Sequence, residues 1–564
     1  MTLPAIVQRG IPAEVLERLV AAGCAPLLAR IYAARGVTEP LELECGFERL
    51  HPPASMLNLK EMAKLLAAAI AARARLVIVA DYDADGATAC AVGMRALRAF
   101  GADVEYLVPN RFEYGYGLTP EIVRLAFERF DPQVLITVDN GIASIDGVAE
   151  ANRLGLKVLI TDHHLPGEQL PDAWCIVNPN QPGCPFPSKH LAGVGVMFYL
   201  MLALRAELRG RGAFEHGPPL AGLLDLVALG TVADVVKLDA NNRVLVQQGL
   251  KRIRAGRMQP GIAALFQVAA RDPARASAYD LGFVLGPRLN AAGRLTDMAL
   301  GIECLVTDNA ERASGIAREL DALNRDRRAI EADMQESALA SLAENAEDAP
   351  ALALFDPAWH QGVIGIVASR LKERFHRPVI AFARGANGEI KGSGRSIAAL
   401  HMRDALDLIT KRHPGLVLRF GGHAAAAGLT LRETDFEFFR TAFEETVRSL
   451  LTAADLERHL ETDGSLAPEE ATLDFATAIA DAVWGQGFPE PSFYDSFEVV
   501  RQRVVGGAHM KLSLTRGGRP FEAMLFGEAD DVPQKIGAVY RLDVNDYGGT
   551  RALQLRLQHW RPAR

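Results

Sequence analysis

The stretch Leu76-Val-Ile-Val-Ala80, followed at once by Asp81-Tyr-Asp83-Ala-Asp85-Gly86, decides the fold of this chain. The apolar run is short, β-branched and unbroken, as expected for a strand that is buried on both faces of a parallel sheet. Similar runs follow at Val104–Val108, Val134–Val138 and Val158–Ile160, with helical patterns between them at Ala87–Phe100 and Pro120–Phe130. This alternation predicts an α/β fold with a doubly wound parallel sheet.

Three carboxylates stand at the end of the first predicted strand. Asp81, Asp83 and Asp85 alternate along the chain, so their like charges would repel one another. A divalent cation relieves such repulsion, and carboxylates are preferred ligands of Mg²⁺, Mn²⁺ and Ca²⁺. The alternative is an acidic turn that resembles a calcium loop, but an EF-hand needs a glutamate at the last loop position, where this chain has Val92. We therefore predict a metal site here.

Two more polar motifs follow predicted strands. Asp139-Asn140-Gly141 comes after Val134–Val138, although such a motif alone is usually only a turn. Asp162-His163-His164 comes after Val158–Ile160. Neighbouring histidines point in different directions from an extended backbone, so one could bind a metal while the other faces a substrate. The carboxyl ends of parallel strands share one sheet edge, and we expect all these motifs to meet there.

Asp234 is the fourth candidate, in the apolar stretch Leu229-Gly-Thr-Val-Ala-Asp-Val-Val. A buried aspartate without a partner is costly, which favours a role for Asp234 as a metal ligand. The alternative is an aspartate that caps a helix or is hydrogen-bonded within the protein. Several carboxylates and a histidine suit two cations about 3.5–4 Å apart, which activate water and stabilise both oxygens in a phosphoryl displacement. The sequence has no Walker A loop, H-E-x-x-H helix or G-x-S-x-G elbow. Metal-assisted phosphoester hydrolysis is therefore the predicted chemistry.

The remaining chain divides into regions of different composition. Residues 1–50 form an N-terminal segment without a usable motif, and residues 51–305 form the catalytic region. Residues 306–348 are rich in Ala, Glu, Arg and Leu and predict a long connecting helix. A second α/β region follows at 349–455. Residues 456–564 carry five short strand patterns separated by glycine turns, which predict an OB-fold-like barrel: Phe497–Val505, Met510–Thr515, Phe521–Phe526, Ala538–Asp543 and Ala552–His559.

Composition sets the broad class. At 564 residues the chain needs several domains, and 49% hydrophobic with 23% charged residues is ordinary for soluble globular proteins. The sequence shows no secretory signal and no apolar run long enough to cross a bilayer. Six cysteines without a C-x-x-C pair favour reduced thiols in the cytoplasm. A net charge of −8 does not favour nucleic acid, but a metal-binding acidic cluster contributes to that charge while a local groove stays basic.

These motifs are similar to those of the DHH phosphoesterase superfamily, and nearly the whole chain resembles its bacterial single-stranded-DNA-specific exonucleases. The first region carries Asp81–Gly86, Asp139, Asp162-His163-His164 and Asp234. The second, DHHA1-type region carries Ser393-Gly-Arg395-Ser396 and Gly421–Gly428. Further similar motifs occur in Pro109–Gly117, Pro287–Arg294 and His360–Arg370.

The resemblance implies a role for each residue of the first region. It implies that two Mn²⁺ or Mg²⁺ ions are bound by a set of aspartates and one histidine: Asp81, Asp83, Asp85, Asp139, His163 and Asp234. Asp81 is the member of this set that other branches replace. His164 would contact the scissile phosphate. Lys237 departs from the pattern, since proline is expected after Asp-Val-Val, but it lies outside the ligand set.

The resemblance also implies a path for DNA. Arg111, Ser393 and Arg395 would form a pocket for a 5′ phosphate, which sets the polarity of degradation. The residues expected to contact the rest of the strand are Arg288, Asn290, Arg294, Gly421, Gly422 and His423. Each has a structural alternative: a salt bridge for the arginines, a packed histidine, and a close helix-packing turn for the glycines. Tyr114 and Tyr116 are either base-stacking or packing residues.

The implied function is a 5′-to-3′ exonuclease that releases mononucleotides in DNA repair and recombination. The implied setting includes a single-strand-binding protein and a RecQ-type helicase, with the enzyme a cytoplasmic monomer that has no membrane contact. Two other classes compete with this interpretation. One is a hydrolase of pyrophosphate, very short RNA or cyclic dinucleotides, which would lack the C-terminal barrel. The other is a non-catalytic DNA-binding scaffold, which would have lost metal ligands.

Overall fold

The computed structural model describes residues 4–115, 117–342, 349–546 and 549–563, and at residues 111 and 112 it describes the backbone alone. The chain divides into two compact units. The larger comprises Gln8–Leu323 and Thr462–Arg564, and the smaller comprises Met1–Val7 and Asn324–Glu461. Each unit is built from segments that are distant in sequence.

The first part of the chain is mainly helical. Besides three short 3₁₀ helices, its described residues form one strand and three α-helices, which are β1 (Ala5–Gln8), α1 (Ala13–Ala21), α2 (Pro26–Ala33) and α3 (Leu59–Ala71). The next helices alternate with, or follow, the strands of the central sheet: α4 (Ala84–Ala99), α5 (Arg111–Tyr114), α6 (Pro120–Phe130), α7 (Ile145–Arg153), α8 (Gly193–Gly210), α9 (Leu224–Ala233), α10 (Ala240–Arg254), α11 (Pro260–Val268), α12 (Gly286–Leu295) and α13 (Ala299–Val306). A π-helical turn, Asp280–Leu285, directly precedes α12.

Five parallel strands form the central sheet of the larger unit. They are β2 (Arg75–Ala80), β3 (Asp103–Leu107), β4 (Val134–Val138), β5 (Lys157–Thr161) and β6 (Cys175–Val177). Their order is β3-β2-β4-β5-β6, so the chain reverses direction across the sheet between β2 and β4. Alternate side chains face opposite layers: Ile78 packs in a cluster with α4 and α8, whereas Val77 packs with α6 and α7. The predicted doubly wound α/β sheet is confirmed, and β6 is an addition to it.

A long helix, α14 (Ala310–Ser341), carries the chain into the smaller unit. Five strands there form a mixed sheet in the order β10-β11-β9-β8-β7. The elements are β7 (Leu352–Phe355), α15 (Ile364–Phe375), β8 (Val379–Arg384), β9 (Glu389–Arg395), α16 (Met402–Arg412), β10 (Arg419–Gly422), β11 (Ala426–Arg432) and α17 (Phe436–Leu450). Strands β7 and β8 are parallel and the other pairs are antiparallel. This mixed α/β sheet agrees with the predicted second α/β region.

The last part of the chain closes into a barrel. After β12 (His459–Thr462), which pairs with β1, come helix α18 (Leu473–Asp481) and five strands. The strands are β13 (Phe493–Val505), β14 (His509–Arg516), β15 (Arg519–Phe526), β16 (Lys535–Asn545) and β17 (Ala552–Pro562). They close in the order β13-β14-β15-β17-β16, which confirms the predicted five-stranded barrel. Among the described residues, no helix is both long and apolar enough to cross a membrane.

Candidate metal centre

The carboxyl ends of β2 and β4, where the strand order reverses, carry most of the predicted ligands. Asp81 follows β2 directly, and its backbone N–H donates to the carbonyl of Val138 at the end of β4 (3.2 Å). The side chain of Asp83 caps α4 by accepting from the backbone N–H groups of Asp85 (2.9 Å) and Gly86 (3.0 Å). This cap makes α4 begin at Ala84, earlier than the predicted Ala87, so that Asp85 lies in its first turn.

Asp85 is fully buried and is held by the start of another helix. The backbone N–H groups of Gly193 (2.6 Å) and Val194 (2.9 Å) donate to its two carboxylate oxygens. These residues open α8, and a helix N-terminus carries partial positive charge, so it stabilises a carboxylate in this position. Gly230 of α9 also packs against Asp85, since a Cβ at this position would lie 3.0 Å from the Asp85 carboxylate. Two small residues therefore let three helices converge on one acid.

Asp139 is held in an unusual backbone conformation. Its φ of 62° is left-handed, which is uncommon for a residue other than glycine. Val235, which follows Asp234, has a φ of 63°, and this conformation is more costly for a β-branched residue. Gly193 is packed against Asp139 so closely that a Cβ there would lie 2.5 Å from its Oδ1. Strained backbone therefore accompanies two of the predicted ligands, as is frequent at functional sites.

His163 lies among the carboxylates. Its Nε2 is 3.1 Å from Asp139 Oδ1, 3.5 Å from Asp234 Oδ2 and 3.8 Å from Asp85 Oδ2. The ligand atoms of Asp85, His163 and Asp234 lie within 4.8 Å of one another, and those of Asp81, Asp83 and Asp139 do so as well. These two triads share no residue, and a third triad of Asp139, His163 and His164 joins them. They offer two adjacent sites.

Three atoms of this cluster are buried without a hydrogen-bond partner: Asp139 Oδ1, His163 Nε2 and Asp234 Oδ2. Burial first, and then neighbouring carboxylates, raise the pKa of Asp85 and of Asp234 to about 7, and they also raise the pKa of Asp139. Burial lowers the pKa of His163, which favours the neutral imidazole that binds metals. Buried acceptors that repel one another and lack donors fit divalent cations, and the predominance of carboxylate ligands suits Mn²⁺ and Mg²⁺.

Asp162 and His164 form a separate pair at the rim of the cluster. Asp162 is buried, and its Oδ1 lies 2.7 Å from Nδ1 of His164 while also accepting from the backbone N–H groups of both histidines. Its Oδ2 accepts from the backbone N–H of Ile142 (2.9 Å). Burial acts to lower the pKa of His164, but the Asp162 hydrogen bond and charge outweigh it and raise that pKa to about 9. This shift favours the protonated imidazolium form of His164, and its side chain is 45% exposed.

Sequence reasoning did not assign roles to several of the residues that build this centre. Asp162 orients His164, and its position before two histidines was the available signal. Asn140 donates to the carbonyls of Val79 (3.2 Å) and Val138 (2.9 Å) and so ties the ends of β2 and β4 together. The backbone donors of Gly193 and Val194 had no sequence signal beyond a Gly-x-Gly pair in an apolar stretch.

The residues of α12 that were predicted to contact DNA make contacts within the protein. Arg288 pairs with Asp321 of α14 (Nη2 to Oδ1, 2.9 Å) and donates from Nη1 to the Val284 carbonyl (2.6 Å). Asn290 Oδ1 accepts from the backbone N–H of Ala84, beside the metal cluster (2.8 Å). Arg294 lies in the last turn of the same helix. Of the two roles that the sequence left open for Arg288, DNA contact and salt bridge, the structure shows a salt bridge, which joins α12 to α14.

In the smaller unit, Ser393 and Arg395 lie on β9 next to α15. Arg395 Nη1 donates to Ser393 Oγ (3.0 Å) and to the Gly394 carbonyl (2.8 Å). A side chain at Gly365, in the first turn of α15, would come within 2.8 Å of the Arg395 guanidinium and 2.9 Å of Ser393 Oγ. The two predicted phosphate contacts are therefore neighbours, and the start of a helix faces them.

The glycine motif of the smaller unit forms a hairpin. Gly421 and Gly422 belong to β10 and pair with Gly428 and Ala427 of β11, so the helix-packing turn considered for them is wrong. His423 stands in the connecting turn, where its backbone N–H donates to the Ala426 carbonyl (2.8 Å).

The other aromatic and basic predictions lie before α6. Tyr114 packs against the hydrophobic layer of α6 and α7, which agrees with the packing alternative. Tyr116 and the side chain of Arg111 lie outside the described residues.

Family models match three regions of the chain. The model of the DHH family, N-terminal domain, matches residues 75–231, the model of the DHHA1 domain matches 348–449, and the model of the RecJ OB domain matches 462–559. These regions correspond to the central sheet, the smaller unit and the barrel.

Relatives match along nearly the full length. The single-stranded-DNA-specific exonuclease RecJ of Dickeya dadantii is 51% identical over 553 residues, which cover 95% of this chain and 96% of the relative. The crystal structure of RecJ from Thermus thermophilus in complex with Mn²⁺ has a TM-score of 0.83 and 30% identity, and the match covers 99% of this chain and 79% of that chain. The Mg²⁺ complex from the same organism has a TM-score of 0.78 and 28% identity, over 99% and 78% of the two chains.

Proposed function

This chain belongs to the RecJ family of single-stranded-DNA-specific exonucleases, and from that premise we propose that it is a metal-dependent exonuclease that hydrolyses single-stranded DNA from the 5′ end to 5′-mononucleotides. The observation that carries the proposal is the buried ligand cluster at the reversal of the strand order. Asp139 Oδ1, His163 Nε2 and Asp234 Oδ2 are unpartnered there, and every ligand position of the motifs holds Asp or His. A scaffold protein without activity would have no reason to keep such a costly cluster.

The cluster supports a role for each acid. We assign Asp85, His163 and Asp234 to one cation and Asp83 and Asp139, with Asp81 beside them, to the other. Bound Mn²⁺ or Mg²⁺ ions activate water and stabilise charge on the phosphate oxygens. The α8 N-terminus fixes the orientation of Asp85, and the packing of Gly193 fixes Asp139, so contacts within the protein hold these two ligands in position.

His164 is assigned to the scissile phosphate. Asp162 keeps the imidazole positively charged and fixes its ring through Nδ1, so that an N–H group donates to a phosphate oxygen. This role needs a charged histidine that is both exposed and tightly oriented. The pair supplies both, because Asp162 is buried while His164 is at the rim.

The smaller unit is assigned the 5′ end of the strand. Ser393 and Arg395, with the first turn of α15 beside them, offer a hydroxyl, a guanidinium and helix N–H groups to a terminal phosphate. Recognition of that phosphate would give 5′-to-3′ polarity. Arg294, the amides of Gly421 and Gly422, and His423 are assigned to the rest of the strand. In the cell, the enzyme is assigned to DNA repair and recombination, as a cytoplasmic monomer working with a single-strand-binding protein and a RecQ-type helicase.

A labelled strand tests the activity. One long single strand, labelled in separate reactions at its 5′ or 3′ end, is incubated with the protein and Mn²⁺, with EDTA as the control. Immediate release of a 5′-labelled mononucleotide, with gradual shortening of the 3′-labelled strand, is expected. An untouched strand in both Mn²⁺ and Mg²⁺ would refute the proposal.

The Asp139→Ala variant tests the assignment of the cluster. It removes one ligand and no proposed phosphate contact, so we expect turnover to fall by at least ~10²-fold while DNA affinity changes little. Glu128→Ala removes an exposed acid on α6, outside the cluster, and is the matched control that should cut at the wild-type rate. Cleavage by Asp139→Ala near the wild-type rate would contradict the metal assignment.

A further inference from the structure

Two aromatic rings stand exposed on the turn that precedes α12. Tyr279 is 50% exposed and Phe283 is 67% exposed, although both are large and partly or wholly apolar. Their ring centroids are 5.1 Å apart and their planes differ by 21°, so the rings stack on each other. Such a pair offers an outward aromatic face on which a planar group can stack.

The backbone beneath the rings is unusual. Asp280–Leu285 is a π-helical turn, a rare conformation that is frequently found at functional sites. Asp280 fixes its start, since its Oδ2 accepts from the backbone N–H (2.9 Å) and the hydroxyl (2.8 Å) of Ser277. The turn therefore presents Tyr279 and Phe283 on a fixed support.

This turn packs directly on the helix that leads to the metal cluster. A side chain at Gly282 would lie 3.0 Å from Val232, and one at Gly286 would lie 3.0 Å from Ala233. Val232 and Ala233 are the last residues of α9, and Asp234 follows them. The two glycines let the aromatic turn approach the end of α9 as closely as backbone packing permits.

We propose that Tyr279 and Phe283 form a platform on which a nucleobase of the bound single strand stacks next to the metal cluster. The proposal rests on the proposed function and adds a base-binding site to it. A nucleobase is the occupant we favour, because the rings are planar and stacked, and the turn that carries them packs on the end of α9, which Asp234 follows. Base stacking on aromatic side chains accepts every base, which suits an enzyme that degrades a strand regardless of sequence.

Binding measurements with bases present and absent test the platform. In the Asp139→Ala background, which slows cleavage of the oligonucleotide, fluorescence anisotropy gives Kd for a single strand and for a matched strand with an abasic run near its 5′ end. We expect Phe283→Ala and Tyr279→Ala to weaken binding of the full strand by about 5- to 100-fold, the usual range for loss of one stacked base. Binding of the abasic strand should not change.

Two controls separate stacking from other effects. Phe438→Ala removes a Phe that is 55% exposed in the smaller unit and should leave both Kd values unchanged. Phe283→Trp keeps an aromatic face and should retain wild-type affinity. Equal Kd for wild type and Phe283→Ala on the full strand would overturn the platform, and so would an equal loss on both strands. If the unmodified protein fails to cut a labelled strand, the proposed function falls and the platform with it. If it cuts normally but Phe283→Ala and Tyr279→Ala bind the full strand with the wild-type Kd, only the platform is refuted.

Discussion

Asp139 illustrates how single residues are constrained at this centre. Its left-handed backbone turns the side chain at the end of β4 towards His163, where Nε2 lies 3.1 Å from Oδ1. A left-handed conformation costs about 1–3 kcal/mol in a residue other than glycine, and it persists only where the surroundings enforce it. The close approach of Gly193 is one such constraint, because no larger residue fits between α8 and Asp139.

Gly193→Ala should therefore impair the centre. The added Cβ would lie 2.5 Å from Asp139 Oδ1 and 2.7 Å from its Cβ, so the carboxylate or the start of α8 must move. Because a ligand misplaced by about 1 Å can cost ~10² in rate, we expect turnover to fall by about that factor. Kinetics on a labelled single strand measure it, and isothermal titration with Mn²⁺ should show weaker binding.

Gly210→Ala is the matched control for that substitution. Gly210 ends the same helix, and outside its chain neighbours and the helix's own backbone nothing lies within 4 Å of the position that its Cβ would occupy, so alanine fits there. Because alanine has a higher helix propensity than glycine, the free energy of unfolding should stay unchanged or rise by about 0.5–1 kcal/mol, and turnover should be normal. Wild-type kinetics for Gly193→Ala would show that Asp139 is not held by this contact.

At the scale of elements, the strands that carry the site were predictable and several others were not. Leu76–Ala80 and Val134–Val138 are apolar, β-branched runs, and β2 and β4 match them almost residue for residue. Strands β9 and β11 have the sequences EIKGSGR and AAGLTLR, whose glycines disfavour strands. Tertiary packing outweighs this preference, because a side chain at Gly392 would lie 2.5 Å from Phe382 and 2.6 Å from Leu429. A single sequence does not reveal such contacts.

The ligand set itself was predictable because its motifs follow strands, whereas the groups that orient it were not. Asp85 accepts from backbone N–H groups 108 and 109 residues further along the chain. Backbone donors have no side-chain signature, so sequence alone could not identify them. The salt bridge of Arg288 was equally hard to predict, since its partner Asp321 lies 33 residues away on another helix.

That salt bridge leads to a prediction about α12 and α14. Arg288 and Asp321 have side chains that are 10% and 14% exposed, so loss of Asp321 would remove a carboxylate that lies 2.9 Å from a largely buried guanidinium. We expect Asp321→Ala to lower the free energy of unfolding by about 3 kcal/mol. Chemical unfolding followed by circular dichroism measures the change.

The exposed cation Arg124 provides the comparison for Asp321→Ala. Its side chain is 46% exposed and pairs with Glu121 and Glu150, so Arg124→Ala should cost at most about 1 kcal/mol. If Arg288 served only to contact DNA, Asp321→Ala would be as stable as the wild type. That result would return Arg288 to the strand-binding set.

At the scale of the whole molecule, residues 1–50 have a structural role that their sequence did not reveal. Ile31 of α2 is fully buried in the hydrophobic cluster of the barrel. Tyr32 stacks on Trp484 with ring centroids 5.8 Å apart. Arg35 forms a buried, two-pronged ion pair with Asp463, with distances of 2.7 and 2.9 Å. From Gln8 onward the segment belongs to the same compact unit as the barrel and packs against it, although 428 residues separate Arg35 from Asp463.

Ile31→Ala should consequently loosen the barrel rather than the N-terminal segment alone. Removing a fully buried isoleucine costs about 2–5 kcal/mol, because it leaves a cavity that neighbouring side chains fill only in part. Hydrogen exchange with mass spectrometry, on the intact chain, should show faster exchange in peptides from β13 to β17 and unchanged exchange in the sheet of the smaller unit. Leu41→Ala is the matched control, since Leu41 lies in the same segment and is 53% exposed. Unchanged exchange of the barrel peptides in Ile31→Ala would mean that the barrel holds its core without the N-terminal segment, and equal effects of both variants would mean that the segment responds to any truncation.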